Sequence, residues 1–412
     1  MEWGRLEMEG KFDLVIVGGG MVGAAVALSL ADTQLNIALL ERTLPEAYSS
    51  DQPMDLRVSA LSPSSIQLLD QLGAWQTILS WRACPYQRMR VWEMDEDASG
   101  LAGQAARNLA TEFSAQEISM PELGYIVENR LVQRALLDQL SSVSNITLIT
   151  DGVERIDYSA TSTIIELDSG KSLMTPLVIA ADGGQSMVRD AAALGAHHWD
   201  YEQMAMVINV ETFLPQQDIT WQQFHPSGPR ALLPLPGSNA SLVWYDAPER
   251  IQQLMSMEFD TLKATIEANF PNRLGGIKTL QARASFPLRR LHAQRYVDEG
   301  VALLGDAAHQ INPLAGQGVN LGFQDVAAFS DVLHEALSRN ESISSVHVLK
   351  RYEQKRRKGN LLMMQTMDLF YRLFSNQKKP LKLVRNLMLG LAGAAKPARV
   401  KALRIASGID RF

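Results

Sequence analysis

The 412-residue sequence predicts an α/β protein with a parallel-sheet domain, an inserted domain of antiparallel strands and a helical C-terminal region. The parallel sheet is indicated by a buried strand, a glycine-rich turn, a helix and a second buried strand at the start of the chain. Short alternating runs rich in tryptophan fill the middle of the chain and favour antiparallel strands with one packed face. From about Asp325 onward the apolar spacing is helical.

The opening unit begins with residues 12–17, an apolar run that ends in three glycines and predicts a buried strand. Residues 21–30 have the small and aliphatic side chains of a helix packed closely on a sheet, and residues 37–40 predict the next buried strand. A strand, turn, helix and strand in this order open a dinucleotide-binding fold of the Rossmann type.

The turn GGGMVG contains the pattern G-x-G-x-x-G at Gly18, Gly20 and Gly23. In this pattern the first glycine permits a tight turn, the second lets the backbone approach a pyrophosphate, and the third lets helix and strand pack closely. Glu41 ends the second strand, where a carboxylate can accept hydrogen bonds from an adenosine ribose. The alternative for Glu41 is an exposed carboxylate that merely ends a strand.

Two later strands each run into a turn that contains aspartate and glycine, and we expect both to return to the parallel sheet. Residues 177–181 lead into Asp182, which either braces a cofactor loop or approaches the cofactor's pyrophosphate. The alternative is a purely structural turn with Ser186 as helix cap and Arg189 in a surface ion pair. Residues 301–304 lead into Asp306, whose short side chain suits a sugar hydroxyl. The alternative for Asp306 is a helix cap.

After Asp306, Pro313 makes the approach to the next helix rigid, and Gly316 and Gly318 open that helix. A helix N-terminus with small residues offers free N–H groups and a positive dipole end, which suits the N1–C2 edge of a reduced flavin. His309, in the same segment, is a candidate for acid–base chemistry or, equally, a hydrogen-bonding spacer.

Composition excludes several classes of function. The formal net charge of −6 argues against nucleic acid as a partner, because phosphate binding needs clustered excess lysine and arginine. The single cysteine, Cys84, excludes an internal disulfide and a cysteine-rich metal site, and we expect no metal. The sequence has no apolar run long enough to span a membrane and does not open like a signal peptide, so a cytoplasmic protein is expected.

Three motifs carry a family resemblance: GGGMVG, ADGGQSMVR and GDAAHQINPLAGQGVNLGFQD, in this order. Together they resemble the class A flavin-dependent aromatic hydroxylases of the p-hydroxybenzoate hydroxylase fold. Within that group the chain is most similar to the ubiquinone-biosynthesis hydroxylases, because WRACPYQRM, LGYIVENRLVQRAL and TWQQFHPSGPRALLPL resemble the members that hydroxylate a demethoxyubiquinol ring. The resemblance covers roughly residues 12–388, apart from residues 100–119.

The resemblance implies FAD as cofactor and NAD(P)H as electron donor, without a second Rossmann domain. Dioxygen would add to the flavin C4a atom, and the terminal oxygen of that hydroperoxide would pass to the ring of a polyprenylated quinol. Side chains then need to supply only a dry pocket and a stabilised flavin anion. The implied FAD-binding residues are Gly18, Gly20, Gly23, Glu41, Asp182, Asp306 and Gly318, with Arg57 and Arg130 as supporting contacts or, alternatively, as surface arginines.

The resemblance also implies a discontinuous FAD-binding domain (residues 10–80, 123–196 and 288–345), a substrate domain (81–122 and 197–287) and a C-terminal helical region (346–412). The tryptophan-rich sheet would supply the substrate face, with Trp221, Phe224 and Trp244 as candidates. Their alternative role is packing in the core of the sheet.

Two other functions remain open at this point: an FAD-dependent reductase or dehydrogenase for an isoprenoid substrate, and a non-catalytic scaffold of a quinone-synthesis complex. Residues 378–404 carry eight basic side chains, no acidic ones and many apolar ones, which predicts peripheral attachment to an anionic inner-membrane surface. The alternative is a helical hairpin that packs on the FAD domain.

Overall fold

The structure is a computed structural model that describes residues 7–93, 110–216, 218–271, 275–311, 318–374, 400–401, 403–404 and 408. Its strands are β1 Glu7–Lys11, β2 Leu14–Val17, β3 Ile37–Glu41, β4 Val58–Leu61, β5 Cys84–Tyr86, β6 Arg88–Glu93, β7 Thr111–Ser114, β8 Gly124–Glu128, β9 Ile146–Thr150, β10 Val153–Asp157, β11 Thr163–Leu167, β12 Lys171–Thr175, β13 Val178–Ala180, β14 Ala196–Thr212, β15 Ile219–Phe224, β16 Arg230–Pro234, β17 Asn239–Asp246, β18 Ile277–Ala293, β19 Val297–Asp298, β20 Val301–Leu303 and β21 His309–Gln310.

The helices are α1 Met21–Ser29, α2 Pro63–Gln71, α3 Trp75–Trp81, α4 Asn129–Leu140, α5 Met187–Ala191, α6 Pro248–Ser256, α7 Phe259–Asn269, α8 Gly318–Ser338 and α9 Val346–Phe374. Two short 3-10 helices cover Ala115–Ile118 and Gly305–Ala307. The helical region begins at α8, a few residues before the position that the sequence predicted.

A six-stranded sheet in the order β19-β20-β13-β2-β3-β9 forms the centre of the first domain. All its pairs are parallel except β19 with β20 at one edge. Strands β2, β13 and β20 are buried along their whole length, because α1, α4 and α8 and the rest of this core cover the sheet. The expectation that the strands before Asp182 and Asp306 return to this sheet is confirmed.

An eight-stranded sheet in the order β21-β18-β14-β17-β16-β15-β6-β7 forms the second large layer. It is antiparallel except between β6 and β15, and two strands of 17 residues each, β14 and β18, run side by side through it. The predicted antiparallel middle of the chain is confirmed. All the strands of this sheet except β21 lie essentially within residues 81–122 and 197–287, the predicted substrate domain, and only the ends of β14 and β18 cross those limits. The domain boundaries themselves stay predictions.

Two smaller sheets, β1-β12-β11-β10 and β4-β8-β5, complete the fold. Helix α9 packs on α8 and contributes Tyr352, which is fully buried against Phe329 of α8 at a ring-centroid distance of 5.3 Å. Among the described residues, no helix combines the length and apolar character that crossing a membrane requires.

Candidate active site

A cavity of about 610 Å³ lies between the two large sheets, and its volume is typical of a small-molecule site. The first domain lines it with backbone-rich turns, which include Gly20, Arg57, Asn129, Gly183, Asp306 and Gly318. The eight-stranded sheet lines it with one of its faces, which includes Val207, Gln222, Ala231, Ser241, Val243 and Tyr245. Turns that suit a cofactor therefore face a sheet surface that suits a substrate.

Two glycines of the first turn are required by close packing. Gly18 has a φ of +100°, and a Cβ atom there would lie 2.4 Å from the carbonyl oxygen of Ala181. A Cβ atom on Gly23 would lie 1.8 Å from the carbonyl oxygen of Gly18. Neither position tolerates a side chain, because the contacts are with backbone atoms that hold β2, β13 and α1 together.

Gly20 is different, because a Cβ atom there would meet nothing within 4 Å. It caps the N-terminus of α1 without a side-chain hydrogen bond, so the first N–H groups of this helix face open space in the cavity. That arrangement fits a phosphate group, which is stabilised by free N–H groups and by the positive end of the helix dipole. The geometry therefore meets the requirement for binding a dinucleotide.

The turn at Gly305–Ala307 approaches the same cavity from β20. Gly305 has a φ of +57°, and Asp306 is exposed and lines the cavity. Desolvation raises the pKa of Asp306, and the charges of His309 and Arg57 partly offset that rise. Gly318, the first residue of α8, also lines the cavity with open space at its Cβ position. Pro313 and Gly316 lie outside the described residues.

The family profile of the FAD binding domain matches residues 11–366. The chain belongs to this FAD-binding family. FAD as the cofactor is therefore confirmed, and the assignment of the two glycine- and aspartate-containing turns to the flavin site stays a prediction.

Two relatives cover almost the whole chain of this flavoprotein. The 3-demethoxyubiquinol 3-hydroxylase of Escherichia coli is 44% identical over 401 residues, 96% of this chain and 98% of the relative. The mitochondrial ubiquinone biosynthesis monooxygenase COQ6 of Xenopus tropicalis is 34% identical, with 96% of this chain and 93% of the relative covered.

Solved structures show the fold of the flavoprotein. The p-nitrophenol 4-monooxygenase PnpA of Pseudomonas putida superimposes with a TM-score of 0.77 at 18% identity, covering 97% of each chain. A single-residue variant of HpxO from Klebsiella pneumoniae, solved in complex with FAD, gives a TM-score of 0.73 at 17% identity, covering 97% of this chain and all of the other. The predicted flavin-hydroxylase fold is confirmed.

Glu41 lies beside the glycine turn of the flavoprotein but does not line the cavity. Its Oε1 atom accepts a hydrogen bond from the backbone N of Thr43 at 3.2 Å. A Cβ atom on Gly19 would lie 2.7 Å from the Cβ of Glu41, so the turn passes directly over this side chain. Its role toward a ribose stays a prediction.

Asp182 mainly organises its own turn. It accepts a hydrogen bond from the backbone N of Val188 at 3.3 Å, and its Oδ1 atom is buried without a partner among the described residues. Ser186 caps α5, as the structural alternative predicted. Arg189 pairs with the exposed Asp190 at 3.5 Å, as that alternative predicted, but its own side chain is buried and also donates to the carbonyl oxygens of Ala307 and Gly184, both at 3.0 Å. It thereby joins the Asp182 turn to the Asp306 turn.

Arg57 projects toward the cavity, whereas Arg130 does not line it. Arg130 donates to the buried carboxylate of Glu128 at 2.9 Å and to the carbonyl oxygen of Pro53. Both contacts use Nη2 of its guanidinium and position the loop before Arg57, and a role of Arg130 toward the cofactor stays a prediction.

His309 is 2% exposed and does not line the cavity, so the structure favours the hydrogen-bonding alternative. Its Nε2 atom lies 2.5 Å from Oδ2 of the fully buried Asp325. Asp325 also accepts from the backbone N of Gly305, from Nε of Arg356 and from Nδ2 of Asn360 at 3.1, 2.7 and 3.1 Å. Burial alone would raise the pKa of Asp325, but His309 and Arg356 outweigh it and hold that pKa below its ordinary value.

For Trp221 and Trp244 the structure favours the alternative role, packing in the core of the sheet. Trp221 and Trp244 are 3% and 1% exposed and pack with Phe270 on the face of the sheet opposite the cavity. Because successive strand residues point to opposite faces, the neighbouring Gln222 and Val243 face the cavity instead. Phe224 shares the face of Gln222 but is not part of the cavity lining.

Two residues at the site were not predicted from the sequence. Gln133 of α4 donates from Nε2 to the carbonyl oxygen of Gly19 at 3.0 Å and thereby fixes the glycine turn. Asn129 lines the cavity and accepts a hydrogen bond from the hydroxyl of Ser59 at 2.7 Å. Both stand in the motif ENRLVQRAL, of which the sequence predicted only Arg130 as a site residue.

Proposed function

We propose that this protein is an FAD-dependent monooxygenase that hydroxylates the ring of a polyprenylated quinol intermediate in ubiquinone biosynthesis. The observation that supports it is a cavity in which the FAD turns face a largely neutral sheet surface, in a chain 44% identical to a 3-demethoxyubiquinol 3-hydroxylase. The overall reaction consumes NAD(P)H, a proton, dioxygen and a ring C–H group, and it yields NAD(P)⁺, water and a ring C–OH group.

The chain would hold FAD through the glycine turn at Gly18–Gly23, through Asp306 and through the N-terminus of α8 at Gly318. When bound, FAD supplies hydride acceptance from NAD(P)H and the activation of dioxygen. The protein's own groups orient the cofactor, supply N–H donors and helix-dipole charge, and keep water out of the cavity.

The substrate would lie on the cavity face of the eight-stranded sheet. Val207, Ala231 and Val243 provide apolar contact for a quinol ring, while Gln222 and Tyr245 are positioned to contact ring oxygens. Burial raises the pKa of Tyr245, so its phenol stays neutral and able to donate a hydrogen bond at physiological pH. Apart from Arg289, the residues of this sheet that line the cavity carry no charge, which suits a substrate without charge.

The proposed reaction is tested with the FAD-loaded protein, NADH or NADPH, a short-chain demethoxyubiquinol and ¹⁸O₂. We expect a product that carries one ¹⁸O atom on the ring, measured by mass spectrometry. Consumption of NAD(P)H with reduction of an isoprenoid substrate and no ring label would instead identify the reductase alternative. If the protein binds FAD but consumes no NAD(P)H with any substrate, the result would instead support the non-catalytic scaffold alternative.

We also propose that the basic segment at residues 378–399, which lies outside the described residues, attaches the protein to an anionic membrane surface. Each basic residue near such a surface contributes about 1 kcal/mol. The end of the tail has another role, because Leu403 is 5% exposed and packs in a cluster with Ala60, Cys84 and Leu235. The membrane proposal is therefore restricted to the segment before Val400.

The attachment is tested by replacing Lys378, Lys379 and Lys382 with glutamine in the full-length protein. We expect the variant to float less with acidic liposomes at low salt, while its FAD content and thermal midpoint stay unchanged. The matched control replaces Lys350, Lys355 and Lys358, three basic residues of α9, with glutamine. Equal flotation of the tail variant and the unmodified protein would reject the attachment.

A further inference from the structure

The loop that leads into Arg57 is held by side chains in an unusual way. Each carbonyl oxygen of residues 52–55 accepts a hydrogen bond from a side chain of another element; we call these four residues the strap. Arg82 donates to Gln52 at 2.9 Å and Arg130 donates to Pro53. The strap is followed directly by residues 56–59, all of which line the cavity.

One buried carboxylate organises the first-domain side of the strap. Glu128 is 3% exposed and accepts from Arg82 Nη2 at 3.4 Å, from Arg130 Nη2 at 2.9 Å and from the backbone N of Asp55 at 2.8 Å. Its ion pair with Arg82 is closest at Nε, 3.0 Å from Oε1 of Glu128. Glu128 therefore holds the two arginines that grip the strap and one N–H group of the strap itself.

The eight-stranded sheet, called the substrate sheet from here on because it carries the proposed substrate face, binds the other end of the strap. Asn209, on the long strand β14, is fully buried and donates from Nδ2 to the carbonyl oxygens of Met54 and Asp55 at 3.3 and 3.0 Å. It lies two residues beyond Val207, which lines the cavity, so both share one face of the sheet. Asn209 is thus a direct polar link between the substrate sheet and the loop that carries Arg57.

Arg57 itself is not restrained in this way. Within the part of the chain that the structure describes, no hydrogen bond or ion pair holds its guanidinium, which faces Asp306 across the cavity. Its backbone is fixed instead, because its carbonyl oxygen accepts from Asn129 N at 2.9 Å. Because the backbone of Arg57 is fixed and its guanidinium has no protein partner among the described residues, this cation is available to bind a group that enters the cavity.

We infer that Asn209 and Glu128 are positioning residues that act through Arg57, so that the substrate sheet sets where this cation meets the cofactor. The inference rests on the proposed placement of FAD in the cavity. Because both residues hold the backbone of the strap, loss of either grip lets Arg57 move away from its position and weakens FAD binding without touching FAD directly.

The test is a double-substitution cycle on the full-length apoprotein, read as the dissociation constant for FAD from flavin fluorescence. Asn209→Leu keeps the size of the side chain and removes both donated hydrogen bonds. We expect it to weaken FAD binding about tenfold in the protein with Arg57 and less than about twofold when Arg57 is already alanine. Glu128→Gln, made in the same two backgrounds, is expected to show the same dependence on Arg57.

The matched control is Asn145→Leu, because Asn145 also donates from Nδ2 to two loop carbonyls, those of Thr33 and Leu35, both at 3.0 Å. We expect it to lower the thermal midpoint without changing FAD affinity. Equal weakening by Asn209→Leu in both Arg57 backgrounds, or an Arg57→Ala protein with unchanged FAD affinity, would overturn the inference. Neither result would affect the proposed function, which the ¹⁸O₂ assay on the unmodified protein decides separately.

Discussion

Gly20→Val is expected to give a folded protein that no longer binds FAD. The new side chain would enter the open space in front of the α1 N-terminus, where a Cβ atom meets nothing within 4 Å. The valine side chain would displace a phosphate from these N–H donors. The loss of two charge-assisted hydrogen bonds, at about 1.5–3 kcal/mol each, weakens FAD binding roughly a hundredfold or more. Flavin content after purification and FAD titration of the apoprotein measure this effect.

Gly359→Val is the matched control, because Gly359 of α9 also has open space at its Cβ position and does not line the cavity. That variant is expected to keep its FAD. Gly23→Val should behave differently from both, since its Cβ would collide with the backbone of Gly18 and prevent the domain from folding. Stoichiometric FAD in purified Gly20→Val would show that the phosphates lie elsewhere.

Asp325→Asn is expected to destabilise the protein by about 3–5 kcal/mol, because it leaves the largely buried guanidinium of Arg356 without its counter-charge. The amide also supplies fewer acceptor sites to four donors that surround Asp325. Asp218→Asn is the control, since Asp218 pairs with Arg88 at an exposed position and its loss costs about 0–1 kcal/mol. Thermal unfolding at saturating FAD compares the two variants.

The ion pairs of Asp325 with His309 and Arg356 also predict that the stability of the protein depends on pH. The pKa of Asp325 is lower in the folded protein than in the unfolded chain, so its stabilising contribution is complete above about pH 4 and is lost as the pH falls further. The difference in thermal midpoint between the unmodified protein and Asp325→Asn should therefore narrow below about pH 4. A difference that stays constant down to about pH 3 would contradict the proposed charge on Asp325.

The parallel sheet and the turns at Gly18 and Asp306 could be predicted because each depends on local sequence. A buried strand followed by glycine leaves few backbone conformations, and the close contacts of Gly18 and Gly23 explain why that pattern is specific. The family resemblance supplied the remaining step from fold to cofactor.

The side of a strand that faces the cavity could not be predicted, because it depends on which sheet face the rest of the chain covers. Trp221 and Trp244 suggested a substrate face, yet α6 and α7 cover their side of the sheet and the smaller neighbours face the cavity. The roles of Arg130 and His309 were also beyond local sequence, since their partners Pro53 and Asp325 are set by tertiary packing.

The division of labour between the two faces of the eight-stranded sheet has a consequence for changing the enzyme's substrate range. On one face, Trp221, Leu232 and Trp244 belong to a packed cluster, while their strand neighbours Gln222, Ala231 and Val243 face the cavity. Alternate positions along the same strands therefore have separate roles: one set stabilises the fold and the other shapes the cavity. The shape of the pocket can be redesigned or diversified at every second residue while the core stays intact. A library confined to the cavity-facing positions should retain a much larger fraction of folded members than one spread over both.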